Sequence, residues 1–138
     1  MEELGNECSL QPIGPYRYQC IIEKEKMRGL AHRLSAMETT FLLLIATDYP
    51  DEKKFELTYV FWNHVSKSLI IIKTHVNRDS PQIDTISDLF PGATYSEAEA
   101  YDLVGVDFIG NPLIKRGVFA PTDIVEKGIF PLRKDSGV

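Results

Sequence analysis

Chemistry in this 138-residue chain would have to come from acids, since no nucleophile is set up. Glu97, Glu99 and Asp102 fall within six residues, and paired carboxylates are the usual material of general acid–base work. On a helix Glu99 and Asp102 are neighbours at i, i+3, whereas Glu97 lies on another side with Tyr101 and Val104. Acid–base catalysis further requires burial or a charged neighbour that separates the two pKa values, and the pattern supplies no second group. His32, His64 and His75 form no HxH, HxxxH or HExxH pair. Cys8 and Cys20 are too few for a disulfide framework and have no metal-motif spacing, and two thiolates cannot ligate an iron–sulfur cluster. GxGxxG, GxxxxGK[ST] and GxSxG are all missing. Trp62, beside Phe61, reads as a core or interface anchor. The expectation is no catalytic, cofactor-binding or metal residue on this chain.

The elements that must position these acids can be read from periodicity. Residues 1–15 hold Gly5, Gly14, Pro12 and Pro15 and read as a flexible lead-in. From Tyr16 apolar residues alternate through Tyr18, Cys20 and Ile22, a half-buried strand. Met27, Leu30, Ala31, Leu34 and Met37 recur at helical spacing over 23–37. Residues 41–46 are apolar on both parities, which predicts a central strand covered on both faces. Phe55, Leu57, Tyr59 and Phe61 alternate with more polar positions, and 69–76 give another strand with Lys73 and His75 on its wetter side. The expected fold is α+β, a two-layer domain over 16–107 with a mixed or antiparallel sheet packed by helices. Ser80-Pro81 is a good helix start, Ser96 and Glu99 offer a capping box, and Gly105 a left-handed cap. Glycine and proline punctuate 108–138, the expected extended tail.

Hydrophobic residues make up 43% and charged residues 25%, globular proportions, and the net charge of −5 weighs against nucleic-acid binding. No apolar run approaches the ~20 residues of a spanning helix, so a soluble, intracellular chain without a membrane span is expected. Charge is segregated: 80–110 hold six acids and no Lys or Arg, and 111–138 five bases against three acids. An acidic helix followed by a basic tail suits docking on a partner by two surfaces of opposite sign, and equally a solvated helix with the tail folded back on it. Eight large apolar residues of the tail (Phe108, Leu113, Ile114, Val118, Phe119, Ile129, Phe130, Leu132) must be buried somewhere. They are expected to dock on a partner, with Pro131-Leu132-Arg133-Lys134 as anchor and charge clamp. Removal of the residues after Gly128 should then leave the domain folded.

The run Ala93-Thr94-Tyr95-Ser96-Glu97-Ala98-Glu99-Ala100-Tyr101-Asp102-Leu103-Val104-Gly105-Val106-Asp107-Phe108-Ile109-Gly110-Asn111-Pro112, with Lys115-Arg116 and Pro131-Leu132-Arg133-Lys134-Asp135 behind it, resembles a known signature. It is that of the 30 kDa subunit family of respiratory complex I, the C subunit in bacteria, with relatives in membrane-bound Ech-type [NiFe] hydrogenases. The resemblance spans about residues 55–135. Ala98 stands where the family has arginine, Asn111 where it has histidine and Tyr95 where it has tryptophan. The short lead-in is similar to that of the hydrogenase relatives.

The resemblance implies a cofactor-free structural subunit, without an active site of its own, in the soluble arm of an ion-translocating oxidoreductase or hydrogenase complex. It would brace the hydrogenase-like large subunit and neighbouring iron–sulfur subunits, which would carry the iron–sulfur clusters and a NiFe centre. It would sit peripherally on the cytoplasmic side of the cell membrane. The expected partner-facing residues are Glu97, Glu99, Asp102, Gly105, Phe108, Gly110, Pro112, Lys115, Arg116, Pro131, Leu132, Arg133 and Lys134. Ala98, Asp102 and Gly105 share a small-residue stripe open to close approach. The alternative readings are a free-standing protein-binding module of the same fold and, last, an enzyme using Glu97, Glu99 or Asp102.

Overall fold

The computed structural model describes residues 9–114, 116–117, 120 and 122–137. The chain runs β1 (Gln11–Gly14), β2 (Arg17–Ile21), α1 (Lys24–Ser35), β3 (Thr39–Tyr49), β4 (Lys54–Asn63) and β5 (Ser68–Asn77). It continues through β6 (Gln82–Asp84), α2 (Ala93–Val104), β7 (Asp107–Ile109) and a short α3 (Thr122–Glu126). The first five strands form one mixed sheet in the order β1-β2-β5-β4-β3. β3, β4 and β5 make an antiparallel meander, and β2 lies parallel to β5. Gln11–Gly14, expected within the flexible lead-in, instead pair with β2 as an edge strand; residues 1–8, with Cys8, lie outside the described residues.

Alternation decides which face of the sheet is covered. Phe55, Leu57, Tyr59 and Phe61 of β4 and Ile70, Ile72 and Val76 of β5 are buried, while the residues between them are only half-buried. α1 lays Met27, Leu30, Ala31 and Leu34 on the covered side, the stripe its 3.6-residue spacing requires. Arg28 on its other side grips Asp88 with two 2.7 Å bonds, and this hydrogen-bonded pairing holds the Asp88 carboxyl at about 2. The result is the expected two-layer α+β arrangement.

Three expectations change. Residues 41–46 belong to β3, which is an edge strand and not a central one, so Leu42, Leu43 and Ile45 are 48%, 41% and 51% exposed. Ser80-Pro81 starts no helix: the Pro81 carbonyl accepts the Asp107 amide, and β6 pairs in parallel with β7. α2 is thereby the crossover of a small β-α-β unit, the connection parallel strands require. It also begins three residues earlier than Ser96, behind the Pro91-Gly92 turn, and no side chain caps it. The expected capping box is not formed.

Gly105 closes α2 at φ +96°, and its amide returns to the Ala100 and Tyr101 carbonyls, the left-handed cap that glycine favours. A Cβ there would lie 2.5 Å from an Arg133 guanidinium nitrogen and 3.2 Å from the Phe130 ring. Gly105→Val should therefore cost about 1–3 kcal/mol and lower the melting temperature by roughly 5 °C or more, measured on the isolated chain by circular dichroism.

Candidate functional site

The three acids of α2 end in three different environments. Glu97 is fully buried and aims at the loop after β6, where Oε2 accepts the Ile86 amide at 2.9 Å. Its Oε1 takes the Thr85 hydroxyl and, at 3.0 Å, the Asn111 side-chain amide. Burial pushes the Glu97 carboxyl above its ordinary value, against these donors, which favour the charge. Asp102 is also fully buried. It accepts the Gly117 amide at 2.9 Å and the Ala120 amide at 2.8 Å, and lies 3.1 Å from Arg116 Nε. Glu99 is exposed. A general base must reach its substrate's proton; two of these acids are closed off and the third stands apart, so they assemble no joint acid–base site.

Asp102, and Glu97 through Asn111, fasten the chain's own later segment. The Ala98–Asp102–Gly105 stripe, expected to receive a partner, receives the tail segment instead, through Asp102 at one end and Arg133 beside Gly105 at the other. Arg116 and Arg133 stack on the Phe130 ring, with guanidinium carbons 4.1 and 4.6 Å from its centre. Arg133 also reaches Phe55 at 5.2 Å and donates Nε–H to the Val104 carbonyl at 2.6 Å, a cation at the negative end of α2. The Leu132 amide donates to Leu103, and the Lys134 amide to buried Asp48 at 2.9 Å. Arg78 closes the clamp, paired with Asp48 at 2.8 Å and Asp135 at 2.7 Å. Burial opposes the Asp48 charge, but the Arg78 guanidinium and the Lys134 amide outweigh it, so its carboxyl titrates below the ordinary value.

Several partner-facing expectations are corrected accordingly. Glu97, Asp102 and Phe108 are interior because each completes a bond or contact within the fold. Gly105, Arg116, Pro131 and Arg133 are half-buried, the first against the tail and Arg133 with its donors turned inward rather than toward a foreign carboxylate. Leu113, Ile114, Ile129 and Phe130 are half-buried on this chain. Glu99, Gly110, Pro112, Leu132 and Lys134 remain on the surface. Lys115, Val118 and Phe119 lie outside the described residues. Asn111, in the place of the family's histidine, is used internally, donating to Glu97 and to the Thr94 carbonyl, and Ala98 is buried.

Sequence reasoning missed Asp48 and Arg78, whose only signal was two opposite charges flanking strands at 30 residues' separation. It also missed a groove of about 190 Å3 between β3 and α2, lined by Leu44, Ile45, Ala46, Ala100, Leu103 and Leu132, with Glu99 at its rim. Among the described residues no helix is long and apolar enough to cross a membrane, and His, Cys, Asp and Glu gather in no group that could hold a metal ion.

Asp102→Asn replaces one acceptor oxygen by a donor facing a buried amide and takes from Arg116 its buried carboxylate neighbour. It should cost about 2–4 kcal/mol, seen as a lower urea midpoint. Removing the residues after Gly128 should likewise destabilise the isolated chain, because it strips bonds from α2, Asp48 and Arg78. A depressed carboxylate stabilises above its unfolded pKa and loses that contribution as pH falls through the folded one. The stability gap between the full and truncated chains should therefore narrow, but not close, in acid below the ordinary aspartate range, because the Leu132 and Arg133 bonds to α2 do not titrate there; urea titration across pH measures it.

The family model of the respiratory-chain NADH dehydrogenase 30 kDa subunit matches residues 20–138. The C subunit of the NADH-quinone oxidoreductase of Moorella thermoacetica is 37% identical over 92 residues, covering 67% of this chain and 60% of that protein. The C subunit of the F420H2 dehydrogenase of Methanosarcina mazei is 28% identical over 88% of this chain and 76% of its own length. The beta subunit of the membrane-bound hydrogenase of Pyrococcus furiosus is 36% identical over 71% of this chain and 56% of its own. A chain in the structure of the membrane-bound sulfane sulfur reductase, an archaeal respiratory membrane complex, superposes with a TM-score of 0.84 at 26% identity, over 97% of this chain and 81% of that one. The Nqo5 trypsin-resistant fragment shares the fold, with a TM-score of 0.66 at 22% identity over 80% of this chain and 92% of the fragment. With the β-α-β unit, the inward acids and the terminal Pro-Leu-Arg-Lys-Asp in place, the chain belongs to the family of the respiratory-chain NADH dehydrogenase 30 kDa subunit.

Proposed function

We propose that this chain is a structural subunit, with no cofactor or active site of its own, in the soluble arm of a complex I-type oxidoreductase or a related energy-converting [NiFe] hydrogenase. In that role it braces the hydrogenase-like large subunit and adjoining iron–sulfur subunits, which hold the redox centres, and it lies peripherally on the cytoplasmic side of the membrane. The observation that carries this reading is the use made of the signature carboxylates. Glu97 and Asp102 are spent on the fold's own amides and guanidinium, so the motif builds a rigid body rather than a reactive site. The relatives named for NADH, F420H2 and hydrogenase complexes support the setting. They also fit a chain whose role is indifferent to the electron donor.

A tagged chain recovered from gently solubilised membranes should carry with it a large hydrogenase-like polypeptide and iron–sulfur polypeptides, identified by mass spectrometry. Recovery of the chain alone would sink the proposal.

A further inference from the structure

β3 carries the sequence of an interior strand at the edge of the sheet. Residues 39–47 contain no charge and no proline, two of the devices with which soluble proteins blunt exposed edges. The one irregularity is a bulge between Phe41 and Leu43; from Leu43 to Tyr49 the register with β4 runs unbroken, from Leu43 opposite Val60 to Tyr49 opposite Lys54. Among the described residues no backbone hydrogen bond leads outward from 40–47. Leu42, Leu43 and Ile45 are exposed along this edge, and the groove toward α2 offers Leu44, Ala46, Leu103 and Leu132 beside it.

We propose that an extended segment of a partner subunit adds to the outer edge of β3 as a sixth strand. Its amides and carbonyls would pair with the free backbone of residues 42–47. Side chains of one parity would enter the groove between β3 and α2, and those of the other would lie beside Leu43 and Ile45. The segment would therefore be uncharged and apolar at alternate positions, with a basic residue where it passes Glu99, the charged group lining the groove. A second copy of this chain does not fit. Antiparallel pairing of β3 with itself would put both α2 helices on one side of a continuous sheet. α2 packs on β3, so the two α2 helices would crowd the seam between the copies, where packed helices need ~8–10 Å between axes.

This proposal rests on the reading that the chain works inside an assembly, and the experiment separates the two. The assembly is purified from membranes through a tag on the full chain, and amide hydrogen exchange is compared with that of the free chain. Outward amides of residues 42–47 should exchange about a hundredfold or more slowly in the assembly. The double variant Leu43→Lys, Ile45→Lys, at exposed positions, should melt like the wild type when free yet be recovered in the assembly at about a tenth of the wild-type yield or less. Unchanged exchange at 42–47 inside an intact assembly overturns the added strand and leaves the bracing role standing. Protection of Tyr95, Glu99 and Leu103 without 42–47 overturns it in favour of a helix in the groove. A free chain that sediments as a dimer with 42–47 protected overturns it in favour of self-pairing. A wild-type chain that purifies alone defeats the bracing role and the added strand together.

Discussion

The architecture of the second half depends on one buried charge. Asp102 sits inside the chain at full burial, where an uncompensated carboxylate costs several kcal/mol. Among the described residues the compensating groups include the Gly117 and Ala120 amides and the Arg116 guanidinium, from the tail. Helix and tail are therefore conditional on each other: α2 turns this face inward with the tail laid along it. Once the segment after Gly117 is fixed, Phe130 falls between Arg116 and Arg133, and Arg133 reaches the end of α2. The tail belongs to the domain's structure rather than hanging from it.

Two other buried acids divide the work electrostatically. Glu97 is surrounded mostly by neutral donors, and its burial dominates, so ionisation is disfavoured and its contribution falls as pH rises through its elevated pKa. Asp48 faces Arg78 and the Lys134 amide, its charge is favoured, and its contribution falls as pH drops. The β6–α2 loop and the chain terminus thus respond to pH in opposite directions.

What could be read from the sequence is what depends on local periodicity. β4 and β5 alternate cleanly because one face packs on α1 and the other does not, and α1 shows its stripe for the same reason. Gly105 was legible because few residues other than glycine accept φ +96°. The burial of Glu97 and Asp102 was not legible, since helical spacing fixes which residues share a side but not whether a loop 11 to 18 residues away in sequence will cover that side. The tail misled for a related reason: its glycines and prolines rule out a core of its own, but they do not say whose surface it covers. β6 was too short for alternation to outweigh the helix-start signal of Ser80-Pro81.

The edge strand is the instructive failure, because its pattern is unambiguous. Residues 41–46 are apolar on both parities, as interior strands are, yet the sheet of this chain ends at β3. A sequence composed for an interior position, placed at the edge of a lone subunit, fits a sheet that continues into another chain. The fastened tail then acquires a second consequence. The bond from the Leu132 amide to the Leu103 carbonyl holds the Leu132 side chain, 60% exposed, at the wall of the groove beside β3. On the docking proposed above, the terminal motif contributes to recognition by shaping the groove's wall and not by reaching out. Loosening Asp102 would dismantle that wall while leaving every residue of β3 untouched, so on that docking coupling between fold and assembly would run through the tail's internal bonds.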